Sequence, residues 1–269
     1  MTTTEPARQG EIDAAAAYEQ SFVPALFQQW APRVVAAARL QPGQRILDVA
    51  CGTGVLAREA AARVGPAGLV AGLDSNRGMV TVASRLEPRV QWHTGTAEAL
   101  PFPDASFDAV LSQFGLMFFS DRTRALREML RVLVPGGQLA IAVWDTVANI
   151  PAYAAEVALL QRVAGQSAAD ALRAPFVLGD PKELTSLFVN AGVANVGVNT
   201  EHGTARFPTL RAMVEADLRG WLPVLGIVLS EDQIARILEQ APSMLRAFVT
   251  VDGTVQFETR AHIVTGTKL

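Results

Sequence analysis

Two carboxylates and a glycine turn are spaced closely enough in this sequence to build a ligand site. Asp48 lies in the short apolar run Arg45–Val49, and Ala50-Cys51-Gly52-Thr53-Gly54 follows directly. Glycines at a strand-to-helix turn let the backbone approach a ligand, because no side chain stands in the way. Gly52-Thr53-Gly54-Val55-Leu56-Ala57 fits the loose dinucleotide pattern G-x-G-x-x-G/A, a weak match when taken alone. Asp48 discriminates between ligands. A carboxylate beside the turn repels a pyrophosphate, whereas it attracts a ligand that presents an ammonium group. The competing reading is an aspartate that only caps or stabilises the turn. Asp74 ends a second apolar run, 20 residues past Gly54. An acidic residue there receives ribose hydroxyls in nucleotide-binding folds of this type, and its competing role is to cap the helix that follows.

The elements that must position these groups alternate along the chain. Arg45–Val49, Gly68–Leu73, Val90–Thr94, Phe107–Gln113 and Gln138–Trp144 read as short buried strands. Val55–Val64, Asn76–Leu86 and Asp121–Val134 read as helices between them, with Asn76 as a cap and Pro135-Gly136-Gly137 as the stop of the third. This rhythm predicts a parallel sheet covered on both faces, an α/β Rossmann-like doubly wound fold. Residues 11–40 read as short helices broken at Pro24 and Pro32. After Trp144 the rhythm changes: Ile150–Val163, Pro181–Ala191, Leu210–Gly220 and Glu231–Val249 read as helices, Val193–Phe207 ends in a strand, and Thr254–Val264 alternates as a last strand. With no repeat and no low-complexity linker, the expectation is one domain over residues 1–269. Within it, 11–40 make N-terminal cap helices, 41–144 the cofactor-binding core, 145–178 and 208–250 helical cap insertions, and 193–207 and 254–268 the closing strands.

Five segments, in order and at ordinary spacing, resemble the motifs of class I S-adenosylmethionine-dependent methyltransferases, of the small-molecule type related to ubiquinone and menaquinone biosynthesis. Ile46–Gly54 is similar to their first motif and Gly72-Leu73-Asp74 to their second. Gly95–Phe102 resembles the adenine-binding segment, Phe107–Val110 the fourth strand, and Arg127–Gly137 the helix and turn before the fifth. The resemblance implies a seven-stranded sheet with the last strand antiparallel, and S-adenosylmethionine as cofactor. It places Asp48, Ala50, Gly52 and Gly54 around the methionine portion, and Asp74 on the ribose with Ser75 and Met79 beside it. Thr96, Ala97 and Glu98 fall at the adenine, and Ser112 and Gln113 under the sulfonium. One departure is Thr96, where the family commonly has an aspartate; a hydroxyl accepts a hydrogen bond more weakly than a carboxylate. The stretch Tyr18–Ala31 also resembles a segment that closes over the cofactor, which makes Tyr18 a candidate contact; packing against the sheet is its competing role.

The acceptor side is read from apolar residues. Phe114, Met117 and Phe118 follow the fourth strand, and Trp221 lies in the late insertion. Core packing must account for some of them. His93, His202 and His262 match no catalytic or metal spacing, so no general base is assigned and no metal is expected. The reading is methyl transfer to a small, largely apolar acceptor, with O-methylation favoured over C- or N-methylation. An NAD-dependent oxidoreductase and a non-catalytic nucleotide-binding module are the alternatives; Asp48 counts against the first and the intact glycine turn against the second. Half the residues are apolar and 18% charged, a globular profile. A net charge of −3 gives no reason to expect nucleic acid as partner. The lone Cys51 excludes an internal disulfide. A polar start and the lack of an apolar run of about 18 residues lead to the expectation of a cytoplasmic protein without a membrane partner. A homodimer is left open.

Overall fold

The computed structural model describes residues 8–269. Most of the polar start weighed above as a targeting signal, residues 1–7, lies outside the described residues. Seven strands form one sheet in the order β3-β2-β1-β4-β5-β7-β6. Strands β1 (Arg45–Val49), β2 (Leu69–Asp74), β3 (Gln91–Thr94), β4 (Phe107–Gln113) and β5 (Leu133–Trp144) run parallel. The last strand, β7 (Val255–Thr267), is antiparallel to both β5 and β6 (Ala194–Phe207). Ile46, Leu47 and Val49 of β1 and Ala109, Val110 and Leu111 of β4 are all buried. Burial on both faces is why the parallel strands read as continuous apolar runs and not as alternation. In β7, by contrast, Val255, Phe257, Thr259, Ala261 and Ile263 share one buried face, as their period of two requires.

The connecting helices are α3 (Val55–Val64), α4 (Arg77–Leu86) and α5 (Arg122–Val132). Asn76 caps α4 by accepting from the Met79 amide at 3.1 Å, and Asp121 caps α5 by accepting from Arg124 at 2.9 Å. The junction of α5 and β5 departs from the sequence reading. Helix α5 stops at Val132, and β5 begins at Leu133, running through Pro135-Gly136-Gly137. A register shift between Phe107 and Ala109 absorbs the glycine pair, and the Gly136 amide donates to the Lys268 carbonyl at 2.9 Å. The Pro-Gly-Gly signal therefore marks a bulge inside a strand. Helix α7 (Gln166–Arg173) was not anticipated either; its buried face of Ala168, Ala169, Ala171 and Leu172 spans only two turns, too short a stretch for its period to stand out.

Three helical segments cover the carboxyl end of the sheet. The first comprises α1 (Gln9–Phe22), a π-helical turn at Val23–Phe27, a short 3₁₀ turn, and α2 (Ala31–Ala37), each proline sitting in the first turn of its element. The second comprises α6 (Pro151–Ala164) and α7, and leads through α8 (Pro181–Ala191) into β6. The third, between β6 and β7, comprises α9 (Leu210–Glu215), a π-helical turn at Ala216–Trp221, and α10 (Glu231–Leu245). No helix among the described residues is long and apolar enough to cross a membrane.

The first segment is fastened at both ends. Gln29 uses its amide like a strand partner on the edge of β6, donating to the Thr204 carbonyl at 2.9 Å and accepting from the Thr204 amide at 2.8 Å. Arg33 donates to the His202 carbonyl at 2.6 Å. At the other end α1 crosses α4 so closely that a Cβ on Gly78 would stand 2.3 Å from the Glu11 carbonyl oxygen. The obstacle is backbone, so the two helices must separate if Gly78 gains a side chain. Gly78→Ala should lower the unfolding free energy by about 1–3 kcal/mol and speed proteolytic cleavage within α1. An unchanged urea midpoint together with unchanged cleavage would show that α1 does not depend on this crossing.

Candidate cofactor and acceptor site

The sheet changes direction between β1 and β4. Strands β2 and β3 build outward on one side of β1, and β4 and β5 on the other, so the chain parts at their carboxyl ends and leaves a crevice there. Both strands leave it through residues that L-amino acids rarely adopt: Ala50 has φ of 57° and Phe114 φ of 56°. Strain of this kind clusters where structure serves a ligand. Gly115 allows the two turns to meet, since a Cβ there would lie 2.5 Å from the Ala50 Cβ.

A cavity of about 460 Å³ opens from this crevice. At one end it is bounded by Ala50, Gly52, Asp74, Ser75 and Met79, and Tyr18 and Gln113 stand over it. A groove of about 220 Å³ adjoins it, bounded by Asp74, Ser75, Thr96, Ala97 and Glu98. A small pocket brings Asp48 together with Gly52, Tyr18 and Gln113. The structure thus gathers most of the expected cofactor residues on three connected spaces. Of the expected acceptor residues, Phe114, Phe118 and Trp221 line the large cavity.

Three expected residues do not line these spaces. Gly54 holds its amide on the Cys51 carbonyl at 2.9 Å, and a Cβ on it would stand 2.4 Å from the Trp92 ring. Its left-handed φ of 88° serves a turn pressed against that indole. Ser112 is fully buried because successive side chains on β4 point to opposite faces, and Gln113 takes the cavity side. Met117 turns inward with Leu116 in a 3₁₀ turn, leaving Phe118 to face the cavity. Glu98 lines the groove with its carboxylate already committed, since one oxygen accepts from the Ser120 amide and hydroxyl, each at 2.9 Å. None of the three histidines lines the cavity, the groove or the small pocket. His93 packs edge-on against Phe102, exposed His202 pairs with Glu258 at 2.9 Å, and buried His262 bonds Thr200 and the Gly179 carbonyl.

The carboxylates hold different electrostatic positions. Asp74 accepts from the Gly52 amide and the Asn76 amide, both at 2.8 Å, so it ties the glycine turn to the start of α4. Burial raises its pKa, and the backbone donors of Asn76 and Gly52 oppose that rise. Each oxygen keeps a lone pair for a further donor. Asp48 is wholly buried, and neither oxygen has a donor at full hydrogen-bonding geometry. Burial above all, and the nearby Asp74 charge in addition, push its pKa well above the carboxylate range, and the Ala57 backbone amide in the first turn of α3 opposes them. Gln113 donates to the Phe27 carbonyl at 3.1 Å while its own oxygen is buried without a donor. The glycine turn is therefore rich in unsatisfied acceptors. Such a set fits a ligand with several donors and a positive charge.

The turn is also clamped from above. Glu19 of α1 accepts from the Thr53 hydroxyl and from Arg58 at 2.8 Å, and Arg58 donates to the Thr53 carbonyl at 2.7 Å. Tyr18 stacks on Phe27 with centroids 5.4 Å apart, and burial raises its hydroxyl pKa.

The far end of the cavity is aromatic. Phe114 and Trp144 stack 3.8 Å apart at 9°, with Trp30 edge-on to both. Beyond them lie Tyr153, Phe176 and Trp221, whose indole donates to the Ala171 carbonyl at 3.1 Å and so joins the second and third covering segments. The sequence reading did not single out Trp144, Tyr153, Phe176, Glu156 or Asp217. For Glu156 the signal was a lone acid, three residues after Tyr153, in a helix otherwise rich in alanine and leucine.

Comparisons with known proteins agree with this geometry. A model of the methyltransferase domain matches residues 47–141. A demethylmenaquinone methyltransferase of Renibacterium salmoninarum is 47% identical over 116 residues, which make up 43% of this chain and 47% of that protein. The match thus spans about half the length of that relative. Among solved structures, the YcgJ protein of Bacillus subtilis superposes with a TM-score of 0.60 at 21% identity, covering 89% of this chain and 98% of its own. The [4+2]-cyclase SpnF superposes over 99% of both chains with a TM-score of 0.56 at 21% identity. These likenesses establish the fold, and a fold shared with a cyclase does not by itself fix an activity. Residues 47–141 match the methyltransferase domain, and within and around them lie the segments that resemble the motifs of class I S-adenosylmethionine-dependent methyltransferases.

Proposed function

We propose that the chain transfers the methyl group of S-adenosylmethionine to a small, largely apolar acceptor, with an oxygen nucleophile favoured. The observation that carries this reading is the continuity of one cavity, which joins the glycine turn and Asp74 at one end to an aromatic chamber under the covering helices at the other. The residues present fit the cofactor. Asp48, orphaned and buried beside Gly52, matches an ammonium donor, and the free lone pairs of Asp74 match vicinal hydroxyls. The groove at Thr96 and Ala97 leaves room for a flat base beside Ser75. Bound there, S-adenosylmethionine supplies a methyl carbon already activated by its sulfonium.

The chain's own task is then to align the acceptor and exclude water. Gln113, Phe114 and Gly115 line the path between the two ends and carry no titratable side chain. An acceptor that arrives ionised, such as a phenol, needs no base from them. The name of the Renibacterium relative gives a demethylmenaquinone as its acceptor, and an acceptor with a similar apolar body suits the aromatic lining. Helices α6, α7, α9 and α10 all lie beyond residue 141, where the domain match ends. Acceptor specificity is accordingly assigned to this chain's own covering helices, the segments 145–178 and 208–250, acting with residues 11–40 as one closing cap over the core.

Three measurements test this reading. Asp48→Asn should weaken S-adenosylmethionine binding in isothermal titration by about 1.5–3 kcal/mol, the scale of a charge-assisted contact. Equal affinities would remove the ammonium assignment. For the ribose, Asp74→Ala should cost a similar amount while a 2′,3′-dideoxy analogue binds wild type and variant alike. A variant that still prefers the natural ribose would reduce Asp74 to its turn contacts. The cap is tested by hydrogen exchange with S-adenosylhomocysteine. Protection should rise in 11–40 or 208–250, whereas a rise confined to 48–54 and 95–98 would describe a static cover.

A further inference from the structure

Glu156 of α6 and Asp217 of the π-helical turn at Ala216–Trp221 come from different covering segments; Asp217 lines the aromatic part of the cavity, and Glu156 is buried behind it, outside the lining. Glu156 is wholly buried, and Asp217 is 2% exposed while lining the cavity wall. Neither Glu156 oxygen has a donor, nor does Oδ2 of Asp217. Their carboxyls face one another within hydrogen-bonding reach once one of them carries a proton. Tyr153, one turn before Glu156 on α6, is the other titratable group facing them. Among the described residues no arginine or lysine contributes to the surroundings of either carboxyl. Around the pair stand Phe176 and Trp221, with Phe118 tilted against Trp221 at 5.2 Å between centroids.

Buried carboxyls ordinarily come with a cation or a full set of donors, because leaving them bare costs several kcal/mol. Here the folded chain provides neither, and the aromatic faces around the pair attract positive charge as well. We propose that Asp217, backed by Glu156, is the polar anchor of the acceptor, taking a protonated aliphatic amine on a molecule whose apolar body fills the aromatic chamber. The anchor sits at the far end of the cavity from Gly52 and Asp74, so the amine is the handle by which the acceptor is oriented, and the methylated atom is elsewhere on it. Burial, and for Glu156 the neighbouring Asp217, raise both pKa values, so the empty pair holds protons that an entering cation must displace. Binding of the amine therefore releases a proton to solvent. This inference deepens the methyl-transfer reading, but the anchor itself is independent of the cofactor.

Two probes of nearly one shape, phenethylamine and phenethyl alcohol, test it by calorimetric titration of the full chain at neutral pH, with and without S-adenosylhomocysteine. The amine should bind on the order of tenfold tighter than the alcohol, and its heat should change between buffers of different ionisation enthalpy as the released proton is taken up. Asp217→Asn and Glu156→Gln should each bring the two probes to within about twofold of one another, with affinity for S-adenosylhomocysteine unchanged. The inference is overturned if the amine does not bind, if the alcohol binds equally well, or if the preference survives both substitutions. Should neither variant fold, the wild-type ratio and the buffer dependence decide alone. Failure of the wild type to bind S-adenosylhomocysteine would instead remove the methyl-transfer reading and leave the amine preference to be judged without it.

Discussion

The reversal of the sheet between β1 and β4 is the constraint on which the rest depends. Two parallel strands whose connections leave in opposite directions cannot cover their own carboxyl ends, so a crevice is imposed by topology before any side chain is chosen. Its cost is visible in the backbone, where Ala50 and Phe114 leave adjacent strands with positive φ. These turns are held in place by neighbours: the Phe114 amide donates to the Ala142 carbonyl at 2.9 Å, and the Cys51 amide to the Leu73 carbonyl at 3.0 Å. Asp74 then fixes the Gly52 amide, and Glu19 fixes Thr53 from the covering side. The binding end is built from backbone strain restrained by polar ties, and its rigidity is inherited from the sheet.

This half of the molecule was legible in the sequence because each physical signal there is local. Strands buried on both faces leave unbroken apolar runs, caps such as Asn76 and Asp121 stand where the helices begin, and the glycine turn keeps its spacing to Asp74. Arg45–Val49, Val55–Val64 and Phe107–Gln113 fall at the expected bounds for that reason. Side-chain direction was harder. Ser112 and Gln113 are adjacent in sequence, but strand alternation sends only one of them to the cavity, and the sequence does not say which face will be the crevice. Gly54 looked like a ligand glycine because the indole it accommodates, Trp92, comes from a strand nearly 40 residues away.

The acceptor half was less legible because its geometry is set by contacts between distant segments. Trp144 becomes a wall only when Trp30 and Phe114 pack on it, and Trp221 only when its indole reaches Ala171. Glu156 and Asp217, 61 positions apart, meet only once α6 and the third covering segment have docked. Pattern reading assigns each acid to an exposed helix face, and burial of both is what gives them meaning. A π-helical turn carries Asp217, and among the described residues the other such turn is Val23–Phe27 in the first covering segment. Turns of this type distort the spacing of side chains along a helix and recur at functional sites. They also blur the 3.6-residue period from which a helix is read.

Both ends of the cavity solve the same electrostatic problem in different ways. At the cofactor end, the burdened carboxyls are placed beside backbone amides, so Asp74 keeps part of its solvation through Gly52 and Asn76 while Asp48 has no donor at full hydrogen-bonding geometry. At the acceptor end, Glu156 and Asp217 have only one another. Burial raises the pKa of the acids at both ends, and backbone donors temper the rise only at the cofactor end. Both ends meet the same covering helices: α1 brings Glu19 and Tyr18 over the glycine turn, and its last residue, Phe22, packs against Gly220 of the turn that carries Asp217. The two ends thus share one seam, the contact of Phe22 with Gly220, while each set of acids keeps its own surroundings.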